Sequence, residues 1–241
     1  MKFEDLKKLH QKKYRMDLGH FLVEGEHLIA ELERAAINNP ALRHAELYVT
    51  HERGRHTSPF PTHVINARHM AQITETRSPQ GIVAVVPMFE AMPVDTGERA
   101  VCLFEIQDPG NLGTILRSLA WFGNFRCLLT SDSVDPYNSK VIRASMGAIF
   151  HVPFETEVAA ADLSARYSNI AWLHTEGRSI REASFKQSDC LLFGNEARGI
   201  PTETLENLGA LAYTIKGTKK IESLNLASAV NICAYELSGS T

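Results

Sequence analysis

The chain has 241 residues, of which 44% are hydrophobic, and its formal net charge at pH 7 is -3. This length fits one large or two small domains with a real core, and the charge excludes a polycation that coats nucleic acid without discrimination. The four cysteines form no Cys-x-x-Cys pair, which predicts buried free thiols in a reducing cytoplasm. No charged-then-apolar leader opens the chain and no apolar run approaches the ~18 residues of a membrane span, so we expect no membrane partner.

The first 15 residues are rich in lysine, and their apolar side chains recur at helical spacing at Phe3, Leu6 and Leu9. This pattern predicts a short amphipathic helix whose lysines line the exposed side. Lys12 and Lys13 on that side either contact RNA or are simply solvated.

Strand and helix patterns alternate through the rest of the N-terminal part, which predicts a small α/β domain over residues 1–87. Within it, His51 and His56 lie five apart around Gly54, so the helical zinc motif His-Glu-x-x-His is not met and we expect no metal site. A linker follows at residues 88–99, where prolines and a glycine break every period. The predicted strands are 19–24, 45–50, 63–66 and 81–86, and the predicted helix is 25–36.

The second domain, residues 100–241, opens with the apolar run 100–106, which is typical of a strand buried on both faces. A tight turn at 108–111 follows, and Asn111 is the predicted N-cap of a helix with Leu112, Ile115, Leu116 and Leu119 turned inward. Arg117 is out of register with that apolar face. It therefore points either to solvent or across a cleft.

A short apolar strand at 191–193 leads into a loop with glycines at positions 194 and 199. The Lys-Ser/Thr pair of a Walker-type phosphate loop is replaced here by Ile200-Pro201, and no Gly-x-Gly-x-x-Gly follows any strand, so both nucleotide fingerprints are excluded. Pro201 is predicted in the first turn of the next helix. Glu196 would be a carboxylate at the carboxyl end of a strand, or a surface carboxylate at a helix start.

The stretch 222–237 predicts a packed helix with small or apolar side chains around most of its circumference. Ser223 and Asn225 are residue types that favour caps and turns, so the loop 216–225 would offer backbone N–H groups to a ligand. The alternative is a buried helix with an ordinary cap. A second subunit would explain why so little of the helix is polar.

Three ordered segments carry a resemblance to a known family: Asn111-Leu-Gly-Thr-Ile-Leu-Arg117, Gly194-Asn-Glu-Ala-Arg-Gly199 and Glu222-Ser-Leu-Asn-Leu-Ala227. They resemble the motifs of the SpoU (TrmH) family of RNA ribose 2′-O-methyltransferases. The N-terminal part, with Phe21–His27 and Ser78–Ala84, is similar to the substrate-binding domain often attached to these enzymes.

The resemblance implies a C-terminal SPOUT-type α/β domain with a deep trefoil knot, preceded by a small α/β RNA-binding domain. It further implies S-adenosylmethionine as the methyl donor and a homodimer as the active form. The positions around the reacting ribose are Asn111, Arg117, Glu196, Ser223 and Asn225. Those next to the donor are Phe193, Gly194, Asn195, Ile215 and Leu224. Many relatives carry Pro-Met after the isoleucine that matches Ile215. In this chain Lys216-Gly217 follow instead, and this difference bears on the shape of the adenosyl pocket.

The implied activity is methylation of a ribose 2′-hydroxyl in structured RNA, most naturally ribosomal RNA. The alternatives are transfer RNA as substrate, or a non-catalytic RNA-binding or ribosome-assembly factor that keeps the fold. Arg117 has two open roles, a base for the hydroxyl proton or a cation that stabilises the developing alkoxide and a nearby phosphate, because arginine is a poor base. Further phosphate contacts are expected from Arg143, Arg198, Lys216, Lys219 and Lys220.

Overall fold

The structure is a computed structural model that describes residues 1–54, 56–76, 78–89, 97–218 and 220–238. Two compact units make up the chain, one of residues 1–90 and 135–151 and one of residues 91–134 and 152–241. Residues 90–96 of the predicted linker lie outside the described residues.

Both units combine helices with a sheet, which confirms the predicted α/β class. The strands are β1 (His20–Glu24), β2 (Glu46–Thr50), β3 (Thr62–Ile65), β4 (Ile82–Pro87), β5 (Arg99–Leu103), β6 (Phe125–Thr130), β7 (Phe154–Val158), β8 (Ile170–Ser179), β9 (Cys190–Phe193) and β10 (Leu211–Thr214). The helices are α1 (Phe3–Lys8), α2 (Lys12–Leu18), α3 (Glu26–Asn38), α4 (Ala67–Ile73), α5 (Pro109–Phe122), α6 (Ser139–Ser145), α7 (Leu163–Arg166), α8 (Thr202–Leu208) and α9 (Leu226–Ser238).

The first unit is built on a four-stranded mixed sheet in the order β1-β4-β2-β3. β4 runs antiparallel to both β1 and β2, and β3 pairs parallel with β2. Helix α3 buries the side that the sequence predicts, with Leu28, Ile29, Leu32 and Ala36 in the core. The helical and strand periods thus predicted the four strands and α3 of this unit, but not α4.

The predicted single helix over residues 1–15 is wrong, because the chain forms α1 and α2 with a break between them. Arg15 is the cause: its guanidinium donates to the carbonyl oxygens of Leu9 (2.8 Å) and His10 (2.9 Å), which a continuous helix would use for its own ladder. Arg15 is buried and forms an ion pair with Asp135 of the same unit. The break in the helix therefore leaves two carbonyl oxygens free to bond the buried guanidinium of Arg15.

The second unit is built on a six-stranded sheet in the order β10-β8-β9-β5-β6-β7, in which every neighbouring pair is parallel. The central strands β5, β6 and β9 are almost entirely buried, as their apolar runs predict for strands covered on both faces. Helices α5 and α9 pack against each other. The buried side of α5 consists of Leu112, Gly113, Ile115, Leu116 and Leu119.

Three predicted boundaries in this unit shift. The strand predicted over 100–106 ends at Leu103, because Glu105 adopts a left-handed backbone with φ of 50°. Pro201 is the N-cap of α8 and not its first residue. The last helix begins only at Leu226, so residues 222–225 belong to the loop before it.

The four cysteines are buried and free, as predicted. Burial raises the pKa of the Cys127 and Cys233 thiols to about 12 and raises the pKa of Cys102 and Cys190 further. These thiols are therefore packing groups and not nucleophiles. Across the described ranges, no helix has the length and apolar character needed to cross a bilayer.

Candidate active site

The carboxyl edge of the parallel sheet brings together the three segments that the sequence singled out. Strands β5, β9 and β10 all end at this edge, and each leads into one of the segments. The chain moves from β5 to one side through β6 and β7, and then builds β8, β9 and β10 on the other side. Such a reversal of strand order is the place where open α/β sheets bind ligands.

The first segment begins with a cap that the sequence analysis assigned to the wrong residue. Asp108, not Asn111, is the N-cap of α5, and its carboxylate accepts a hydrogen bond of 2.6 Å from the backbone N–H of Asn111. An aspartate before a proline at the first helical position is a recognisable start signal. Because Asp108 caps the helix, the side chain of Asn111 is available for other contacts.

Asn111 joins the three segments through both ends of its side-chain amide. Its Nδ2 donates to Oε1 of Glu196 at 3.0 Å, and its Oδ1 accepts from Nδ2 of Asn225 at 2.9 Å. The Oδ1 of Asn225 in turn accepts from the backbone N–H of Ser228 at 3.2 Å, which caps α9. We call Asn225, Asn111 and Glu196 the amide chain. Its direction is fixed, because a backbone N–H only donates and a carboxylate only accepts.

The loop that carries Glu196 is tightly folded. Asn195 and Gly199 exchange two backbone hydrogen bonds, of 3.2 Å and 2.9 Å. A Cβ placed on Gly194 would lie 2.8 Å from the Gly199 carbonyl carbon and 2.9 Å from its Cα. Only glycine allows the loop to close in this way.

Arg117 and Ser223, the other two predicted ribose positions, lie outside the amide chain. Both are exposed, and neither side chain forms a hydrogen bond or ion pair with another residue that the structure describes. Arg117 follows Asn111 by six residues, which places it about 240° further around α5. Within one chain, Arg117 and Glu196 therefore do not form a pair.

The third segment follows β10 as an open loop. Among the described residues, no backbone N–H or C=O group between Lys216 and Leu224 takes part in a hydrogen bond. Leu224 is exposed and Ile215 half-buried, so apolar side chains accompany these free polar groups. Phe193, by contrast, is buried in β9, and its carbonyl oxygen accepts from the N–H of Phe104.

The predicted RNA-contacting residues are spread over both units. Lys12 and Lys13 lie on α2 and Arg143, half-buried, on α6. Arg198, Lys216 and Lys220 are exposed in the second unit. Lys219 lies outside the described residues. In the part of the chain that the structure describes, no group of three or more His, Cys, Asp or Glu side chains could hold a metal ion.

Comparison with known proteins decides the family. Residues 98–235 match the model of the SpoU rRNA Methylase family, which is more than half of the chain. The chain belongs to this family. The resemblance drawn from the three segments is thereby confirmed. Residues 2–84 match a second model, the MRM3-like substrate binding domain.

Relatives of the SpoU family resemble the chain over nearly its whole length. It is 31% identical over 250 residues to the 23S rRNA (guanosine(2553)-2′-O)-methyltransferase RlmP of Bacillus subtilis, covering 99% of this chain and 96% of RlmP. The AdoMet-bound rRNA methyltransferase from Sinorhizobium meliloti is 26% identical, with a TM-score of 0.79 and coverage of 98% and 93%. AviRb from Streptomyces viridochromogenes, 21% identical with a TM-score of 0.83 and coverage of 98% and 96%, shares the fold.

The sequence analysis of this SpoU protein missed the residues that support its site. Glu105 has its N–H bonded to Thr130 Oγ1 at 2.8 Å, and its carbonyl oxygen accepts from Asn195 Nδ2 (2.8 Å) and Gln107 Nε2 (3.0 Å). Its carboxylate pairs with Arg198 at 2.6 Å. No local sequence pattern predicts that Glu105 adopts a left-handed backbone conformation. Its position directly after an apolar strand is the only signal that the sequence offers.

Proposed function

We propose that this protein transfers a methyl group from S-adenosylmethionine to a ribose 2′-hydroxyl of ribosomal RNA. The amide chain carries the proposal, because it ties one polar side chain from each SpoU motif into a single exposed cluster at the ligand-binding edge of the sheet. Full-length similarity to RlmP supports ribosomal RNA over transfer RNA. A non-catalytic factor would have no need for a directed chain of three polar side chains.

The open loop after β10 fits the methyl donor. The described backbone groups between Lys216 and Leu224, which have no partner among the described residues, can bond the polar edges of adenine and ribose, while Ile215 and Leu224 offer apolar surface to the base. Gly194, without a side chain, lets a ligand approach the backbone. We assign donor contact to Gly194, Ile215 and Leu224, with Phe193 and Asn195 shaping the pocket behind them.

The bound donor supplies a methyl group on a positively charged sulfur. The amide chain leaves one oxygen of Glu196 and one N–H of each amide without a partner among the described residues, and these groups can orient the ribose hydroxyls. Glu196 accepts a hydrogen bond from the 2′-hydroxyl, and its free oxygen receives the hydroxyl proton as the methyl group passes from sulfur to oxygen. Ser223, on the exposed loop beside Asn225, holds the neighbouring sugar oxygen or phosphate. The cluster thus acts by positioning the oxygen that is methylated.

Arg117 is assigned as a stabilising cation and not as the base. A guanidinium is an intrinsically poor base, and the Arg117 side chain forms no hydrogen bond or ion pair with another described residue. A guanidinium can instead stabilise the alkoxide that develops on the ribose and bind the adjacent phosphate.

A homodimer formed through α5 and α9 would give Arg117 its place in the reaction. Trp121, one helical turn beyond Arg117, is 85% exposed, and Tyr235 on α9 is 67% exposed beside Phe122, with ring centroids 6.0 Å apart. Exposed aromatic side chains in such a patch favour a protein interface. Light scattering that finds a monomer at micromolar concentration would contradict the dimer.

The path of the C-terminal chain supports a deep trefoil knot. After β9 the chain passes to β10, outside β8, and then returns so that α9 packs against α5 beside the centre of the sheet. An experimental structure traced through residues 190–238 tests the knot.

The location that we propose for the enzyme is the cytoplasm. Buried free thiols are typical of proteins in that reducing compartment.

Contacts with RNA are proposed for Lys12, Lys13, Arg143, Arg198, Lys216, Lys219 and Lys220. Lysine and arginine contacts with phosphates release counterions, so affinity for RNA should fall with salt, with a log-log slope of about −0.7 per phosphate contact. Filter binding at several salt concentrations measures this slope. Affinity that is indifferent to salt would show that these side chains are only solvated.

The deciding experiment is transfer of a radiolabelled methyl group to unmodified ribosomal RNA, with transfer RNA assayed in parallel. We expect label in ribosomal RNA that is resistant to alkali at one linkage, since a methylated 2′-oxygen cannot attack its phosphate. Label in transfer RNA alone would establish the alternative substrate. RNA binding without any transfer would establish the non-catalytic factor.

A further inference from the structure

Asn195 has the most fully bonded side chain of the loop that carries Glu196. It is 7% exposed, and its Oδ1 accepts from the backbone N–H groups of Ala197 and Arg198, both at 3.0 Å. Its Nδ2 donates to the carbonyl oxygen of Glu105 at 2.8 Å. One buried amide therefore connects the loop after β9 to the loop after β5.

The Glu105 peptide is itself held in place. Its left-handed backbone is fixed by Thr130 on the N–H side and by Gln107 on the carbonyl side. A non-glycine residue in this conformation persists only where its surroundings impose it. Asn195 thus bonds to a rigid point of the sheet edge and not to a mobile loop.

We infer that Asn195 is a positioning residue, which holds the loop so that the Glu196 carboxylate meets Asn111. The two hydrogen bonds to Ala197 and Arg198 fix the backbone on the far side of Glu196, and the bond to Glu105 fixes the loop relative to the start of α5. This role deepens the proposed function and rests on it. The backbone N–H and C=O of Asn195 also bond to Gly199, so both the backbone and the side chain of Asn195 hold the loop in its shape.

The Asn195→Asp variant tests this inference because it is nearly isosteric. Aspartate keeps the acceptor for the two N–H groups, but it loses the donor and faces the Glu105 carbonyl oxygen with a charge. We expect the single-turnover rate of methyl transfer to fall about 100-fold, the loss typical of a small misplacement of a catalytic group. The dissociation constant for RNA should stay near that of the wild type. The melting temperature should fall, because a buried carboxylate faces a carbonyl oxygen, so the rate is compared per folded molecule.

A double-mutant cycle with Glu196→Gln separates positioning from a general effect on structure. If Asn195 acts through Glu196, adding Asn195→Asp to Glu196→Gln should lower the rate by less than about 3-fold. Additive losses, or a loss confined to RNA binding, would overturn the inference. Asn66→Asp is the matched control, because Asn66 caps α4 in the first unit and aspartate caps a helix equally well.

Hydrogen exchange provides a readout that does not depend on activity. Asn195→Ala should speed exchange of the Ala197 and Arg198 amides, whereas Asn111→Ala should leave them protected. Unchanged exchange in Asn195→Ala refutes the positioning role. If the wild type transfers no methyl group to any RNA but the two variants show this exchange pattern, the proposed function is refuted and the role of Asn195 in shaping the loop stands.

Discussion

The two edges of the parallel sheet differ in how their charged and polar side chains are buried and paired. Near the amino edge, Arg126 is 1% exposed and pairs with Glu98 (2.9 Å), which directly precedes β5, and with Glu155 (3.2 Å) on β7. At the carboxyl edge, Arg117 is exposed, and the polar side chains of the amide chain bond to one another across up to 114 positions of sequence. A buried and paired charge indicates a structural role, whereas exposed groups held in a fixed arrangement indicate a site for a ligand.

The contrast teaches that burial and partners distinguish two arginines that look alike in sequence. Each lies close to an apolar run, on β6 for Arg126 and on α5 for Arg117. Removing Arg126 takes away the cation that pairs with Glu98 and leaves Glu155 only the partly exposed Arg166, while removing Arg117 leaves no described side chain without a partner. Their variants should therefore separate stability from catalysis.

The largest expected effect is the loss of stability in Arg126→Met. Breaking a buried ion pair by removing one partner typically costs about 3–5 kcal/mol. We expect a fall of this size in the free energy of unfolding, measured by urea titration, with the rate of methyl transfer per folded molecule unchanged.

Arg166→Met is the matched control for Arg126→Met. Arg166 contacts the same Glu155 carboxylate at 2.7 Å but is partly exposed, so its loss should cost no more than about 1 kcal/mol. Equal costs for the two variants would show that burial does not set the value of the pair. The contrast between the two edges would then fail.

Arg117→Lys should show the reverse pattern. Lysine keeps the charge but lacks the planar fork, so the rate constant for methyl transfer should fall about 10²–10³-fold, as for removal of a transition-state hydrogen-bond donor. The free energy of unfolding should change by less than about 0.5 kcal/mol, because Arg117 is exposed. Near-normal turnover with intact RNA binding would remove Arg117 from the reaction.

Much of this structure could be predicted because its signals are local. The apolar runs of β5, β6 and β9 indicated buried strands, and the spacing of Leu112 to Leu119 indicated the buried side of α5. The motif resemblance placed Asn111, Glu196 and Asn225 at one site, and the structure brings these three together.

The rest depends on contacts between distant residues. The break between α1 and α2 follows from the ion pair of Arg15 with Asp135, 120 positions away. The left-handed Glu105 is held by Thr130 and Asn195, and no period or propensity encodes that arrangement. Residues 135–151 pack with the N-terminal unit, and this too depends on contacts with residues far away in the sequence, such as that of Asp135 with Arg15. The Asp108 cap, by contrast, could have been predicted from the aspartate before Pro109, but the cap was assigned to Asn111, which is also a residue type that favours caps.

The last expected effect is a pH dependence that arises in the buried thiols of β6 and α9. Cys127 and Cys233 have their pKa raised to about 12, while thiols of the unfolded chain have a pKa of about 8.5. Above that pH the unfolded chain loses protons that the native state retains, so the free energy of unfolding should fall as pH rises, by at most about 1.4 kcal/mol per pH unit per thiol. Urea titrations under reducing conditions from pH 7.5 to 10 measure this fall. Lysine and tyrosine also titrate here, so the comparison is with the variant Cys127→Ala/Cys233→Ala, whose stability should decline less steeply. Parallel declines would show that the thiols are accessible to solvent in the native state.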